Sequence, residues 1–378
     1  MKIVGIIAEY NPFHLGHLYQ IKKIKALYPD SLIITIISPS FTQRGEISLL
    51  NKWDKTKICL ENNIDLVIEL PTLYATQSAD IFAYGALKIL NELHIDTLVF
   101  GTESDNINEL IDLAKIQLHN DNYDILVKKY LSEGINYPTA MSKALNNLTN
   151  IKIDKPNDLL ALSYIKEILK NNYPITPVSI KRTNDYHSKK VMSNIVNASL
   201  IRELLNDHQD ISKYVPEITL KYLNRNANLN NAYNYLKYNI INNKHHLDEY
   251  LTINEGIENR IIKQALISYS WQELVMNIKT KRYTYNKINR MLIHLLLNIK
   301  KVDNTKETYI RILGFNQAGR TYLNSIKKDI KIPIYTNYKP NKSKVFDLEY
   351  NVTYIYSLII NDQSLIAKEY KNKPIIKN

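Results

Sequence analysis

Apolar residues along the first 180 positions follow two alternating patterns. Residues 3–8, 32–38, 65–70, 96–100 and 175–181 are short apolar runs, each the length of one buried strand, and several are rich in β-branched side chains. Between them the apolar positions recur three and four apart, as at Leu15, Leu18, Ile21 and Ile24, and again at Ile81, Ala86, Ile89, Leu90 and Leu93. That is helical spacing. It predicts helices over about 52–62, 78–93 and 159–170, and through 105–149 with an interruption near 134–138. The helix after residue 158 is opened by Lys155-Pro156-Asn157-Asp158, with proline near its first turn. Strands alternating with helices imply an α/β fold with a parallel sheet under covering helices. Ligands of such sheets bind beyond the carboxyl ends of the strands. His14, Ser38 and Gly101 all lie just past predicted strand ends, so the pattern draws them toward one cleft.

Beyond residue 205 the pattern loosens. Helical spacing is found over 211–225, 247–276 and 284–299, and the Asn-rich tract 224–243 between them reads as loop or irregular helix. Residues 311–315 read as a strand that runs into a helix ending at Lys328. The charge changes in step with the pattern. Residues 1–205 hold 22 Lys and Arg against 22 Asp and Glu, whereas residues 206–378 hold 27 against 15 and carry the whole net charge of +12. A neutral half, 1–205, joined to a basic, mainly helical half, 206–378, suggests that the second half meets a polyanion, most simply a nucleic acid. Within it, Lys279-Thr280-Lys281-Arg282-Tyr283-Thr284-Tyr285 interleaves cations with aromatic rings, a composition suited to phosphate contact and base stacking. The one cysteine, Cys59, excludes an internal disulfide and a zinc–thiolate cluster and fits a reducing compartment. The N-terminal apolar run is too short for a signal-peptide core or a membrane span, so a cytoplasmic protein is expected.

The candidate chemistry is concentrated in residues 5–18, Gly-Ile-Ile-Ala-Glu-Tyr-Asn-Pro-Phe-His-Leu-Gly-His-Leu. The run is strand, then the turn signal Asn11-Pro12, then helix. A helix N-terminus gathers unpaired N–H groups and partial positive charge, a natural seat for phosphate. Two histidines three apart, with Gly16 leaving room between them, can donate hydrogen bonds to a phosphate whose charge grows during reaction. A second candidate is Asn197-Ala198-Ser199-Leu200-Ile201-Arg202, read as a helix start capped by Ser199 with Arg202 one turn on, suited to holding phosphates.

His14-Leu15-Gly16-His17 is the HxGH signature of the nucleotidylyltransferase superfamily, whose fold is Rossmann-like. More of the chain resembles one family within it, the tRNA(Met) cytidine acetate ligases. The matching pieces include residues 4–18, Phe-Thr-Gln-Arg-Gly-Glu at 41–46, Asp-Leu-Val-Ile-Glu-Leu-Pro at 65–71, Phe-Gly-Thr-Glu at 100–103, Pro156-Asn157, Ile180-Lys181-Arg182, Tyr186-His187 and Lys281-Arg282-Tyr283. Pro39 and Met141 depart from the family's pattern, and Ser199 stands where its threonine is expected. The resemblance implies ATP contacts within residues 5–18, at Ile7, Ala8, Glu9, Tyr10, Asn11, Pro12, Phe13, His14, Gly16, His17 and Leu18, and at Gly101, Asn157 and Arg182; the helix-start reading adds Ser199 and Arg202. His14 and His17 are the expected catalytic residues, and Mg²⁺ is expected to accompany the phosphates without a dedicated protein metal site. The resemblance further implies acetate and elongator tRNA(Met) as the other substrates, an acetyl-adenylate intermediate, and a basic C-terminal half that helps hold the tRNA, for which the composition of 279–285 makes Lys281 and Arg282 the expected contacts. No membrane partner is expected. Two other readings are an adenylyltransferase acting on a phosphate-bearing small molecule and a non-catalytic RNA-binding protein with a vestigial nucleotide fold. The basic second half weighs against the former; His14, Gly16, His17 and Arg202 standing together weigh against the latter.

Overall fold

Five parallel strands form the centre of the computed structural model: β1 (Ile3–Ala8), β2 (Leu32–Ile37), β3 (Leu66–Glu69), β4 (Thr97–Thr102) and β5 (Thr176–Lys181), in the spatial order β5-β4-β1-β2-β3. This is the Rossmann-like arrangement that the alternating pattern predicts, with every predicted strand found within two residues of its expected bounds. The structure describes all residues except 105, 183–193, 306, 341, 342 and 378, so Tyr186 and His187 lie outside the described residues. Helices Leu15–Leu27, Lys52–Glu61 and Ala79–Glu92 follow β1, β2 and β3, and Pro156–Lys170 precedes β5. The helical stretch after β4 is three helices, Ile107–His119, Asp121–Ser132 and Tyr137–Thr149.

Because successive residues of a strand point to opposite faces, β1 to β4 are buried on both sides of the sheet, whereas edge strand β5 is only partly buried. Ile3, Ile34, Ile36, Leu66 and Leu98 join the apolar cluster on one face. Val4, Ile6, Ile33 and Val67 join another, which continues into Leu236, Leu274 and Leu292 of the C-terminal helices. Those helices include Tyr233–Asn242, Ile257–Ile267, Trp271–Ile278 and Tyr285–Leu296. The first corrects the reading of the Asn-rich tract. Residues 233–242 are regular helix, because Tyr233, Leu236 and Ile240 sit at helical spacing and are buried.

The chain then returns to the sheet. β6 (Ile310–Asn316) pairs antiparallel with β3, and β7 (Ile334–Tyr335) and β8 (Ile375–Lys377) pair parallel with β6. The change of charge at residue 205 therefore does not coincide with a break in the sheet. Among the described residues no helix is long and apolar enough to cross a membrane.

Candidate active site

The turn after β1 is held from three directions. Lys55, buried on helix Lys52–Glu61, donates to the carbonyls of Glu9 at 2.7 Å and Ser38 at 2.8 Å, tying together the ends of β1 and β2. Burial pushes its ammonium down to about 7, against the pull of Glu9. Asn11 accepts the Leu49 N–H at 2.8 Å and donates to the Ile47 carbonyl at 3.1 Å, which fixes the 41–48 loop against the turn. Arg202 Nη1 donates to the Asn11 carbonyl at 2.7 Å, and its Nη2 reaches Glu46 Oε1 at 2.9 Å.

This framework sets the two histidines in one chemical state. His14 is the N-cap of helix Leu15–Leu27, and its Nδ1 accepts the Gly16 N–H at 3.0 Å. His17 Nδ1 accepts the His14 N–H at 3.2 Å. With both Nδ1 atoms accepting, each neutral ring carries its proton on Nε2, which is left as a donor. The rings lie 3.8 Å apart at 30°, and His17 also packs edge-on against Tyr10 at 4.8 Å. Burial, followed by the charges of Arg182 and Arg202, holds His14 down to about 3; burial, His14 and Arg182 hold His17 well below its usual value. Both are therefore uncharged donors near neutral pH. Gly16 is what permits the arrangement: a Cβ there would stand 2.7 Å from the His14 ring.

A cavity of about 890 Å³ opens beyond these strand ends. Ile7, Ala8, Glu9, Tyr10 and Asn11 line it together with both histidines; Gly101, Asn157, Arg182, Ser199, Arg202 and Arg282 complete the expected residues that it brings together. Pro12, Phe13, Gly16 and Leu18, expected to touch ATP, are not part of that lining, and Lys281 is exposed outside it. Ser38 is buried behind the wall.

Across the cleft, Glu103 and Asp158 lock the end of β4 to helix Pro156–Lys170. The Glu103 carboxylate accepts the N–H groups of Asn157 and Asp158, each at 3.1 Å, and the Asp158 carboxylate accepts the Glu103 N–H at 2.8 Å. The Asn157 side chain also donates to Glu103, so part of its role is to hold that loop. Arg182 is largely buried, its Nε has no hydrogen-bond partner among the described residues, and burial lowers its pKa against the pull of Glu103. A guanidinium side chain that lines a cavity suits an anionic ligand.

Ser199 differs from the expectation. The cap of helix Ala198–Asn206 is Asn197, whose Oδ1 accepts the Leu200 N–H at 2.8 Å. Asn and Ser cap equally well, and Asn197 holds the extended backbone that a cap needs. Ser199 lies inside the first turn, where its Oγ accepts from Arg202 Nη2 at 3.2 Å.

Sequence reasoning passed over the wall from the C-terminal half. Leu251, Thr252, Asn254, Lys287 and Arg290 line the same cavity. The available signal was Gly45, at φ +70°, where a Cβ would meet the Arg290 backbone N at 2.5 Å. The 41–47 loop thus lies directly against helix Tyr285–Leu296, and Arg290 Nη1 donates to the Gln43 carbonyl at 2.9 Å.

Comparison with known proteins agrees with this geometry. The family described as HIGH Nucleotidyl Transferase matches residues 1–372. The tRNA(Met) cytidine acetate ligase of Caldicellulosiruptor saccharolyticus is 36% identical over 99% of this chain and 98% of its own, and that of a Geobacillus species is 35% identical over the full length of both. The crystal structure of Thermotoga maritima TmcAL bound with alpha-thio ATP superposes with a TM-score of 0.89 at 28% identity, covering 100% of this chain and 99% of that one. The signature histidines, the strand order and the full-length likeness all agree, and the chain belongs to the tRNA(Met) cytidine acetate ligase family of the HIGH nucleotidyl transferases.

Proposed function

We propose that the protein is an ATP-dependent ligase that activates acetate as acetyl-adenylate and transfers the acetyl group to N4 of the wobble cytidine of elongator tRNA(Met). The observation that carries the chemistry is the pair of neutral imidazoles, each with Nδ1 occupied and Nε2–H left to donate. In the first step an acetate oxygen attacks the ATP α-phosphorus and the bond to pyrophosphate breaks. The protein aligns the groups and stabilises charge on the phosphates. His14 and His17 donate to phosphate oxygens, while Arg182, Arg202 and Ser199 hold the triphosphate. Mg²⁺, where it accompanies ATP, neutralises phosphate charge. Among the described residues no group of three or more His, Cys, Asp or Glu is placed to hold a metal. In the second step the cytidine amine attacks the acetyl carbon, AMP leaves, and N4 gives up a proton. The base must be unstacked to reach the cleft.

Acetate-dependent ATP–pyrophosphate exchange, run with and without tRNA, tests the reading. Exchange that needs acetate, together with acetyl transfer to tRNA, supports it. Exchange indifferent to acetate, or transfer of AMP to a phosphate-bearing acceptor, overturns it.

The adenosine side has its own test. Gly101 takes no positive φ, but a Cβ there would stand 3.3 Å from Arg182 Cγ. Gly101→Val would push the guanidinium side chain into nucleotide space, and Asn157→Ala would release the Glu103 loop. Both variants are expected to weaken ATP binding by about tenfold or more, as loss of a charge-assisted contact does. Calorimetry with ATP decides, and wild-type affinity in both removes these residues from the site.

The basic half, residues 206–378, would hold the tRNA by its phosphates. Replacing Lys281 and Arg282 with alanine should weaken tRNA binding and flatten its salt dependence by up to about one unit of slope per lost contact. Arg282 Nε also pairs with Glu255 at 2.9 Å, so Lys281→Ala alone is the cleaner half of the test. A filter-binding titration that returns the wild-type slope for the double variant places this segment outside the interface.

A further inference from the structure

The cleft wall built by the C-terminal half carries more positive charge than its own acids balance. Arg282, Lys287 and Arg290 all line the cavity. Glu255 is their acidic neighbour, and it is already engaged: it pairs with Arg282 at 2.9 Å and accepts the Tyr283 hydroxyl at 3.1 Å. The acids of the opposite walls are engaged too, Glu46 by Arg202, Asp80 by Lys166, and Glu9 by the Gln43 N–H at 2.6 Å. Lys287 and Arg290 sit three apart on helix Tyr285–Leu296, so their side chains emerge on one face. Lys287 Nζ lies 4.7 Å above the Tyr283 ring, and Arg290 bonds the Gln43 carbonyl. Neither contact neutralises a charge. Burial, opposed by Glu255 and aided by Arg282 and Arg290, lowers the pKa of Lys287, and burial lowers that of Arg290 to about 10. Half-buried cations that repel each other destabilise the fold unless an anion joins them.

We propose that Lys287 and Arg290 hold the backbone phosphate of the RNA nucleotide whose base reacts, and so position that nucleotide over the adenylate. This rests on the tRNA ligase reading and assigns residues to its second substrate. Two features favour an RNA phosphate over those of ATP. The ATP side already has Arg182, Arg202, Ser199 and both histidines in the same cavity. The Lys287 wall instead adjoins exposed Lys281 and Arg282, and the Lys281 carbonyl lies 3.5 Å from Asn136 Nδ2. Beside Asn136, Tyr137 lines the cavity with 44% of its surface exposed. A free anion makes no use of an exposed ring, whereas an unstacked base does.

Because Arg290 also supports the 41–47 loop, Lys287 carries the test. Lys287→Gln should weaken tRNA binding about tenfold and flatten the salt slope by about 0.7, the value for one phosphate contact on a single strand. Lys287→Arg should restore both. A structural role alone would leave the slope unaltered. Filter binding over a salt series, beside calorimetry with ATP, reads the outcome. A parental slope in Lys287→Gln overturns the inference. So does a tenfold loss of ATP affinity with tRNA binding unaltered, which would assign the lysine to the triphosphate. A parent that binds tRNA with the expected slope but never acetylates it would overturn the ligase reading alone.

Discussion

Replacing His17 with alanine is expected to slow acetyl-adenylate formation by about 10²–10³, roughly 2.7–4 kcal/mol, the scale found when one preorganised donor to a developing oxyanion is removed. The geometry explains why the loss should be large. His17 Nδ1 is committed to the His14 N–H, so its Nε2 proton points away from the helix end and the ring need not reorient during reaction. The same bond creates a complication, since His17→Ala also frees a capping interaction, and losing a cap costs about 0.5–2 kcal/mol of stability. His14→Asn separates the two effects. Asparagine is a good N-cap and can still accept the Gly16 N–H, but it is too short to place a donor where the His14 Nε2 lies. Pyrophosphate exchange should therefore collapse in a variant that melts close to the parent. Parental exchange rates in a folded His17→Ala protein would remove the pair from the chemistry. The low pKa values add a second expectation. His14 is held down to about 3, so the free enzyme should show no inflection near pH 6.5 from this ring. The donor is neutral and remains so as pH falls from 8 to 5.

The parts legible in the sequence are those fixed by neighbours along the chain. Residues 3–18 specify strand, turn and helix through local pattern alone, and the paired histidines follow from the register of one helical turn. Strand ends were legible for the same reason, and they brought His14, Gly101 and Arg182 to one cavity. The illegible parts depend on residues far apart. That Asn197 caps in place of Ser199 turns on where the backbone leaves the extended region, a matter of two residues that capping preference alone does not decide. The approach of Gly45 to Asn289 and Arg290 joins segments some 245 residues apart. It brings the C-terminal half into the cleft, and the sequence marks it only by a glycine in a turn. β6 reads as a strand, but nothing local says that it will lie antiparallel on β3.

Arg311→Met is expected to destabilise the whole protein by about 3–5 kcal/mol, because it leaves a buried carboxylate without its partner. Arg311 on β6 lies opposite Glu69 on β3 in the antiparallel register. Its side chain is fully buried; Nη1 bonds Glu369, and Nε lies 3.5 Å from Glu69. Lys52 completes the group, 3.1 Å from Glu69 and 2.8 Å from Glu369. Two cations thus balance two carboxylates. Glu349, which accepts both the N–H and the hydroxyl of Thr72, is pushed by burial and by the charge of Glu69 up to about 8. Removing Arg311 leaves Glu69 and Glu369 sharing Lys52. Methionine refills much of the space against Trp53 and Phe346 but supplies no charge. Adding Glu369→Gln to Arg311→Met restores neutrality, so the double variant should be less destabilised than the two single losses sum to. The sign of the pH dependence follows. Despite burial, Arg311 and Lys52 hold Glu369 below its ordinary value, so in the parent its contribution is present above the unfolded pKa of about 4.3 and is lost as pH falls through the folded value. The penalty of Arg311→Met should therefore be largest near pH 7 and shrink toward pH 4, where the stranded carboxylate can protonate. Urea unfolding of the four proteins at several pH values measures all of this. Since the cluster joins β3 to β6 and to helix Ser364–Lys371, the sheet and the C-terminal strands should unfold in one transition. Additive losses that do not vary with pH would mean that the cluster acts by packing alone, and that its charges do not bind the C-terminal strands to the sheet.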